Sequence, residues 1–167
     1  MELYIGPPRE IGPLPPAVDP SELASIPLHE AFLSAGSGVE NASEHVVGHL
    51  AFRHDWLKRM HVTPSNAVLA RAHGDSMQPC VWDGDVLLID RARTEPPSAP
   101  KKGTAGRRPP IFALLDDGEA KVKRVQMHDN GSAALISDNP DYPPHFARIE
   151  TLTIIGRVVW WGHTDRG

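Results

Sequence analysis

The sequence has little cysteine and no long hydrophobic run, and each shortage excludes a class of protein. Cys80 is the only cysteine among 167 residues. One thiol cannot form an internal disulfide or a zinc site built on several thiolates, which fits a reducing compartment. No apolar segment approaches the roughly 20 residues of a membrane-spanning helix, and residues 1–8 (MELYIGPP) lack the pattern of a signal peptide. We therefore expect a cytoplasmic protein without membrane association.

The chain also lacks an excess of positive charge. The formal net charge is −4 at pH 7, whereas binding to the nucleic-acid phosphate backbone requires clustered Lys and Arg. The basic stretch between Lys101 and Arg108 is more typical of a solvated loop than of a DNA contact. The sequence does not show the two periodic helices that a helix-turn-helix requires. If the protein serves a DNA-binding system, we expect DNA to be bound only through a separate helix-turn-helix that this chain does not contain.

The sequence also lacks a convincing metal-binding motif. His45 and His49 are four residues apart, but no glutamate stands in the expected arrangement and two valines intervene. We expect neither a metal nor a cofactor. Cys80 is interpreted as a small, largely buried side chain.

Proline is abundant: of 17 residues, six lie within residues 1–20 and five within residues 96–110. Proline removes backbone donors and disfavours helix in its predecessor, so the first cluster predicts a Pro-rich N-terminal arm or linker over residues 1–25. The second cluster predicts a loop insertion over residues 94–110. The remaining chain, residues 26–167, is predicted to form one domain.

Many short apolar segments separated by turn residues predict a mostly β domain. Asp83-Gly84-Asp85 marks a turn before a buried strand, and Asp116-Asp117-Gly118 marks a hairpin. A short helix is predicted with Asp55 as its N-cap. The predicted strands are residues 68–72, 86–90, 111–115, 120–125, 133–136 and 153–161.

One serine and one lysine stand out as chemically useful. Ser76 lies in a glycine-containing loop between two predicted strands, and its hydroxyl becomes a nucleophile only when a base removes the proton. A lysine can be that base if burial lowers its pKa. Lys123 has valine neighbours on a predicted strand, but Lys121 is two residues away and on the same face by strand alternation.

These residues lie in segments that resemble a known family. Residues 74–79 (Gly-Asp-Ser-Met-Gln-Pro) and 83–87 (Asp-Gly-Asp-Val-Leu) resemble the nucleophile segment of the LexA, phage-repressor and UmuD self-cleaving peptidase family, peptidase S24. Residues 116–119 and 122–124 resemble its lysine-bearing hairpin. The order and spacing of these motifs make the match specific.

The resemblance extends to the C-terminal part of the chain. Residues 137–143 (Ser-Asp-Asn-Pro-Asp-Tyr-Pro) and 155–159 (Ile-Gly-Arg-Val-Val) are similar to the last strands of phage-type repressors. In all, the similarity covers roughly residues 26–162. It implies the LexA/signal-peptidase-like β-fold with a short helix. Trp160 and Trp161 belong either to its core or to a dimer surface.

The resemblance also implies roles for individual residues. Ser76 corresponds to the nucleophile and Lys123, through its place in Val-Lys-Arg, to the general base in preference to Lys121. The backbone N–H groups of Asp75, Ser76 and Met77 are then expected to hold the oxyanion.

Self-cleavage in this family is commonly at an Ala–Gly bond upstream of the serine. Ala35-Gly36 has that position here, and we interpret it as the cleavage site. A second pair, Ala105-Gly106, follows the nucleophile within the predicted insertion and is not favoured.

The function implied is that of a C-terminal self-cleavage and dimerisation domain of a LexA- or phage CI-like transcriptional repressor in the SOS response. The implied partners are a second copy of the chain and a RecA–single-stranded-DNA filament as co-protease. One alternative is a stand-alone UmuD-like accessory protein of a translesion polymerase, and another is a catalytically inert dimerisation module. A type I signal peptidase shares the chemistry but needs a membrane anchor.

Overall fold

The computed structural model describes residues 19–29, 46–99 and 108–164. Within these ranges the chain is mostly β with one short α-helix, as the sequence predicts. The helix is α1 (His54–Arg59). The strands are β1 (Leu23–His29), β2 (Val46–Arg53), β3 (Ala67–Arg71), β4 (Val86–Asp90), β5 (Ile111–Asp116), β6 (Glu119–Met127), β7 (Ser132–Ile136), β8 (His145–Arg148) and β9 (Leu152–Gly162).

All nine strands of the described ranges join one sheet, in the order β2-β1-β3-β4-β9-β5-β6-β7-β8. Neighbouring strands are antiparallel except β1 and β3, which are parallel. A parallel pair requires a crossover connection, and β2 with α1 lies between β1 and β3 in the chain. Because β1 and β3 run in the same direction, their C-terminal ends lie at the same side of the sheet.

The central strands are buried on both faces. Leu87 and Ile89 of β4 pack in one apolar cluster, while Leu88 between them packs in another. This explains why β4 is a continuous apolar run and not an alternating one. Trp161 joins the Leu87 cluster, and Trp160 packs on the opposite face. Both tryptophans therefore contact the interior of this chain.

Trp160 is part of an aromatic group that fixes the helix on the sheet. Its ring centroid lies 5.6 Å from that of Phe52 and 6.1 Å from that of Trp56. Phe52 and Trp56 are themselves stacked, with centroids 5.3 Å apart. Such pairs add about 1 kcal/mol beyond the burial of their area.

Asp55 is not the N-cap of α1, and the prediction is wrong on this point. The cap is Arg53, whose side chain makes no capping hydrogen bond. Strand β2 runs directly into α1, so Asp55 falls in the first helical turn. There its carboxylate accepts hydrogen bonds from Arg53 at 3.0 Å and Arg59 at 3.4 Å. Acidic residues are favourable in a first turn without being caps.

Three strands, β1, β2 and β8, have no counterpart among the predicted ones. Of these, β2 and β8 are edge strands whose residues are mostly half-buried or exposed, so they lack the continuous apolar run that identifies a buried strand. Strand β1 begins at Leu23, inside the range assigned to the arm. Residues 1–18, and residues 100–107 of the predicted insertion, lie outside the described ranges.

Candidate active site

The loop between β3 and β4 presents Ser76 at the end of the sheet. Gly74 has a φ of +84°, which favours glycine, and its N–H donates to the Asp83 side chain at 2.8 Å. Met77 and Val81 bury their side chains in the core and so anchor the loop. Ser76 itself is half-buried, so its hydroxyl is held in place but remains accessible.

Lys123 of β6 contacts Ser76 directly. Its Nζ lies 2.6 Å from Ser76 Oγ and 3.0 Å from Ser137 Oγ. Burial lowers the pKa of Lys123, the positive charge of Lys121 lowers it further, and the Asp75 carboxylate opposes both effects. This contact has the hydrogen-bond distance that a general base requires, and the lowered pKa favours the neutral amine.

Lys121 has different partners. Its Nζ donates to Asp116 at 2.8 Å and lies 3.4 Å from Glu119. The hydrogen bond to Asp116 raises the pKa of Lys121, so this amine holds its proton. Of the two lysines that the sequence offers, the structure therefore brings Lys123 to Ser76.

The predicted oxyanion donors lie in the same loop. Within the described ranges the carbonyl groups of this loop are occupied, since Gln78 N–H donates to Asp75 O at 3.0 Å and Asn139 N–H to Ser76 O at 3.1 Å. By contrast, no hydrogen bond to a described acceptor uses the N–H of Asp75, Ser76 or Met77. These three N–H groups are therefore not used within the described part of the fold.

Residues 137–142 form part of the site, although the sequence indicated no role for them beyond family resemblance. Asn139 Nδ2 donates to Asp75 O at 3.1 Å. Tyr142 OH donates to Asp75 Oδ1 at 2.5 Å, and the Tyr142 ring centroid lies 5.6 Å from Lys123 Nζ. The signal available in the sequence was the run of turn-forming residues within this motif.

A buried ion pair attaches this segment to β6. Arg124 Nε and Nη2 lie 2.7 and 2.9 Å from the two carboxylate oxygens of Asp138. The third nitrogen, Nη1, donates to Pro109 O at 2.7 Å. Cys80, predicted to be largely buried, is half-buried, and its Sγ lies 3.7 Å from Arg124 Nη2. Burial raises the pKa of the Cys80 thiol.

A sequence profile described as Peptidase S24-like matches residues 27–159. The chain belongs to the peptidase S24 family. The matched range contains the Ser76 loop, Lys123 and residues 137–142, so the residues that meet in the structure also lie within the S24 similarity.

This chain is similar to several transcriptional regulators. It is 34% identical over 143 residues to the HTH-type transcriptional regulator PrtR of Pseudomonas aeruginosa, covering 81% of this chain and 52% of that protein. It is 32% identical to an uncharacterised HTH-type transcriptional regulator of Haemophilus influenzae, covering 84% and 54% of the two chains. Identity to the LexA repressor of Acidiphilium cryptum is 28%, covering 86% and 54%. The chain thus spans about half the length of these curated relatives.

The predicted cleavage site, Ala35-Gly36, lies outside the described residues. The second pair, Ala105-Gly106, and His45 also lie outside them. Within the described ranges no three metal-ligating side chains lie close together. No helix in those ranges is long and apolar enough to cross a membrane.

Proposed function

We propose that this chain is the C-terminal self-cleavage and dimerisation domain of a LexA- or phage CI-like repressor. In this proposal it cuts its own Ala35–Gly36 bond with Ser76 as nucleophile and Lys123 as general base. The observation that carries the proposal is the 2.6 Å contact between Lys123 Nζ and Ser76 Oγ, made by a lysine whose pKa is lowered by burial.

The chemistry follows from these two groups. Neutral Lys123 accepts the Ser76 proton as Ser76 Oγ attacks the carbonyl carbon of Ala35. Backbone N–H groups of residues 75–77 stabilise the oxyanion. Collapse of this intermediate breaks the bond to Gly36, whose nitrogen takes the proton from the Lys123 ammonium. Lys123 then takes a proton from a water molecule that attacks the acyl-enzyme. It returns this proton to Ser76 Oγ as the ester bond breaks and the Ala35 carboxyl group is released.

The topology supports cleavage within one chain. The last residue of β1, His29, pairs in parallel with Ala70 of β3. Ala35 follows His29 by six residues, and Ser76 follows Ala70 by six residues. Six residues reach at most about 20 Å, so both groups are tethered to the same end of the sheet. Such a tether raises the effective concentration of the scissile bond at the nucleophile.

The relatives support a regulatory role over a digestive one. They are helix-turn-helix regulators and a LexA repressor, which favours a repressor over a stand-alone UmuD-like accessory protein. The Ser76–Lys123 contact favours an active domain over an inert dimerisation module. In this proposal the domain forms a homodimer, DNA is bound by a separate helix-turn-helix, and a RecA–single-stranded-DNA filament stimulates cleavage in the SOS response.

Incubation of the purified chain at mildly alkaline pH tests the chemistry. Because alkali favours the neutral amine of Lys123, we expect two fragments by mass spectrometry, residues 1–35 and 36–167. Ser76→Ala should remain whole. Ser132→Ala, at the first residue of β7 and hydrogen-bonded to Asn130, should cut like wild type. Fragments from Ser76→Ala would refute the mechanism, and fragments of other masses would reassign the cleaved bond.

A separate experiment tests whether RecA and single-stranded DNA stimulate the cleavage. Addition of RecA, single-stranded DNA and a slowly hydrolysed ATP analogue near neutral pH should accelerate appearance of the two fragments. RecA without DNA is the control. Alkaline self-cleavage without any RecA stimulation would retain the Ser76–Lys123 chemistry and remove the SOS role.

A further inference from the structure

The sheet does not by itself set the distance between the two members of the dyad. Ser76 lies in the loop between β3 and β4, while Lys123 lies on β6. In the strand order, β9 and β5 stand between β4 and β6. No direct strand pairing therefore links the two supporting elements, yet general-base catalysis requires hydrogen-bond distance between the reacting groups.

Residues 138 and 139 connect the two elements directly. Asp138 accepts two hydrogen bonds from Arg124, the residue next to Lys123 on β6. Asn139 donates its backbone N–H to Ser76 O and its side-chain Nδ2 to Asp75 O, each at 3.1 Å. Adjacent residues thus hold β6 on one side and the serine loop on the other.

Tyr142 affects the electrostatic environment of Lys123 through its hydrogen bond to Asp75. Its N–H donates to Asn139 O at 3.1 Å, which orders the segment, and its hydroxyl donates to Asp75 at 2.5 Å. That hydrogen bond raises the pKa of Tyr142, so the phenol keeps its proton as the pH rises. Asp75 is the carboxylate that favours the charged form of Lys123. A donor on Asp75 weakens this effect, because it partly neutralises the carboxylate.

We propose that Asn139 and Tyr142 are positioning residues of the self-cleaving site. Asn139 holds the Ser76 loop at its distance from Lys123, and Tyr142 limits the negative charge that Asp75 presents to that lysine. This inference rests on the proposed function, since it assigns supporting residues to the same dyad.

Two kinds of variant separate the two roles. Asn139→Ala loses the hydrogen bond to Asp75 O, so cleavage should slow by about tenfold or more with the midpoint of the pH–rate profile unchanged. Tyr142→Phe keeps the ring but removes the donor to Asp75, so the midpoint should move to higher pH. Asp75→Asn removes the carboxylate, so the midpoint should move to lower pH. A purely structural role predicts slower rates without these opposite shifts.

The matched control is Asn130→Ala. Asn139 Oδ1 accepts the backbone N–H of Asp141 at 3.0 Å, and Asn130 Oδ1 likewise accepts that of Ser132 at 3.1 Å. Asn130, however, lies in the β6–β7 turn and makes no hydrogen bond to either dyad residue. It should cut at the wild-type rate. Thermal unfolding of every variant establishes that the comparison is made between folded proteins.

Labelling of Ser76 by a fluorophosphonate gives a second readout that needs no docking of the scissile segment. Asn139→Ala should label more slowly than wild type and Asn130→Ala. If Asn139→Ala cuts and labels like wild type, or if Tyr142→Phe and Asp75→Asn leave the midpoint in place, the inference is overturned while the dyad stands. A wild-type chain that neither cuts nor labels at Ser76 would refute the proposed function and this inference with it.

Discussion

Strand β6 places two lysines in opposite electrostatic environments within three residues. Near the β5–β6 turn, Lys121 lies between the carboxylates of Asp116 and Glu119. Further along the strand, Lys123 points at the hydroxyls of Ser76 and Ser137. The pKa of Lys121 is raised by its hydrogen bond to Asp116, whereas the pKa of Lys123 is lowered by burial.

The difference teaches that strand position alone does not decide whether the pKa of a lysine is raised or lowered. Carboxylates stabilise the ammonium, while burial next to neutral hydroxyls favours the amine. The two lysines also interact, because the retained charge of Lys121 contributes to the lowered pKa of Lys123. A lysine that keeps its proton thus helps its neighbour to lose one.

Replacement of each lysine by arginine should give the largest difference in self-cleavage rate between the two positions. A guanidinium stays protonated throughout the accessible pH range and cannot act as a base. Lys123→Arg should therefore lower the self-cleavage rate by roughly a thousandfold or more. Lys121→Arg preserves a cation beside Asp116 and should cut at a rate close to that of wild type. Fragment formation followed by mass spectrometry checks both, and loss of cleavage only in Lys121→Arg would reassign the base.

A third cation of β6, Arg124, should matter chiefly for stability. Its side chain and that of Asp138 are only 13% and 4% exposed. Removal of Arg124 leaves the buried Asp138 carboxylate with a longer, 3.4 Å contact to the exposed Arg108. Arg124→Met should lower the free energy of unfolding by about 3 kcal/mol, measured by urea denaturation in a Ser76→Ala background. The exposed ion pair of Arg59 with Asp55 is the control, and Arg59→Met should change little. If both substitutions lowered the free energy of unfolding equally, burial would not explain a difference between the two ion pairs.

Removal of the Lys121 charge should shift the pH dependence of cleavage. Lys121→Met should still cut, but without the neighbouring cation the pKa of Lys123 rises and the midpoint of the pH–rate profile moves to higher pH. Because Lys121 is partly solvated, we expect this shift to be small. A shift to lower pH would contradict the proposed coupling.

The smallest effect should be on stability as a function of pH. The folded pKa of Lys123 lies below its ordinary value of 10.5, so between the two values the unfolded chain binds more protons and stability rises with pH. In a Ser76→Ala background, Lys123→Met should be more stable than its parent near pH 7. That advantage should shrink as the pH approaches 10.5. Urea midpoints at several pH values measure it, and an advantage that grows with pH would contradict the lowered pKa.

Several features could be predicted from local sequence because their causes are local. The apolar run of β4 and the Asp117-Gly118 turn predicted strands that the structure contains. The edge strand β2 and the cap of α1 could not be predicted in this way. Their residues depend on which neighbours cover them and on where the preceding strand ends.

The amino-acid sequence by itself determined the mostly β character, the Ser76 loop and the two lysines that could serve it. These follow from periodicity, turn chemistry and residue type, which act over a few neighbours. The resemblance of the Val-Lys-Arg motif favoured Lys123 over Lys121, but only the tertiary structure decided that Lys123 contacts the serine and that Asn139 and Tyr142 lie beside it. Distances, burial and charge arise between strands far apart in the chain, whereas strand alternation alone treats Lys121 and Lys123 alike.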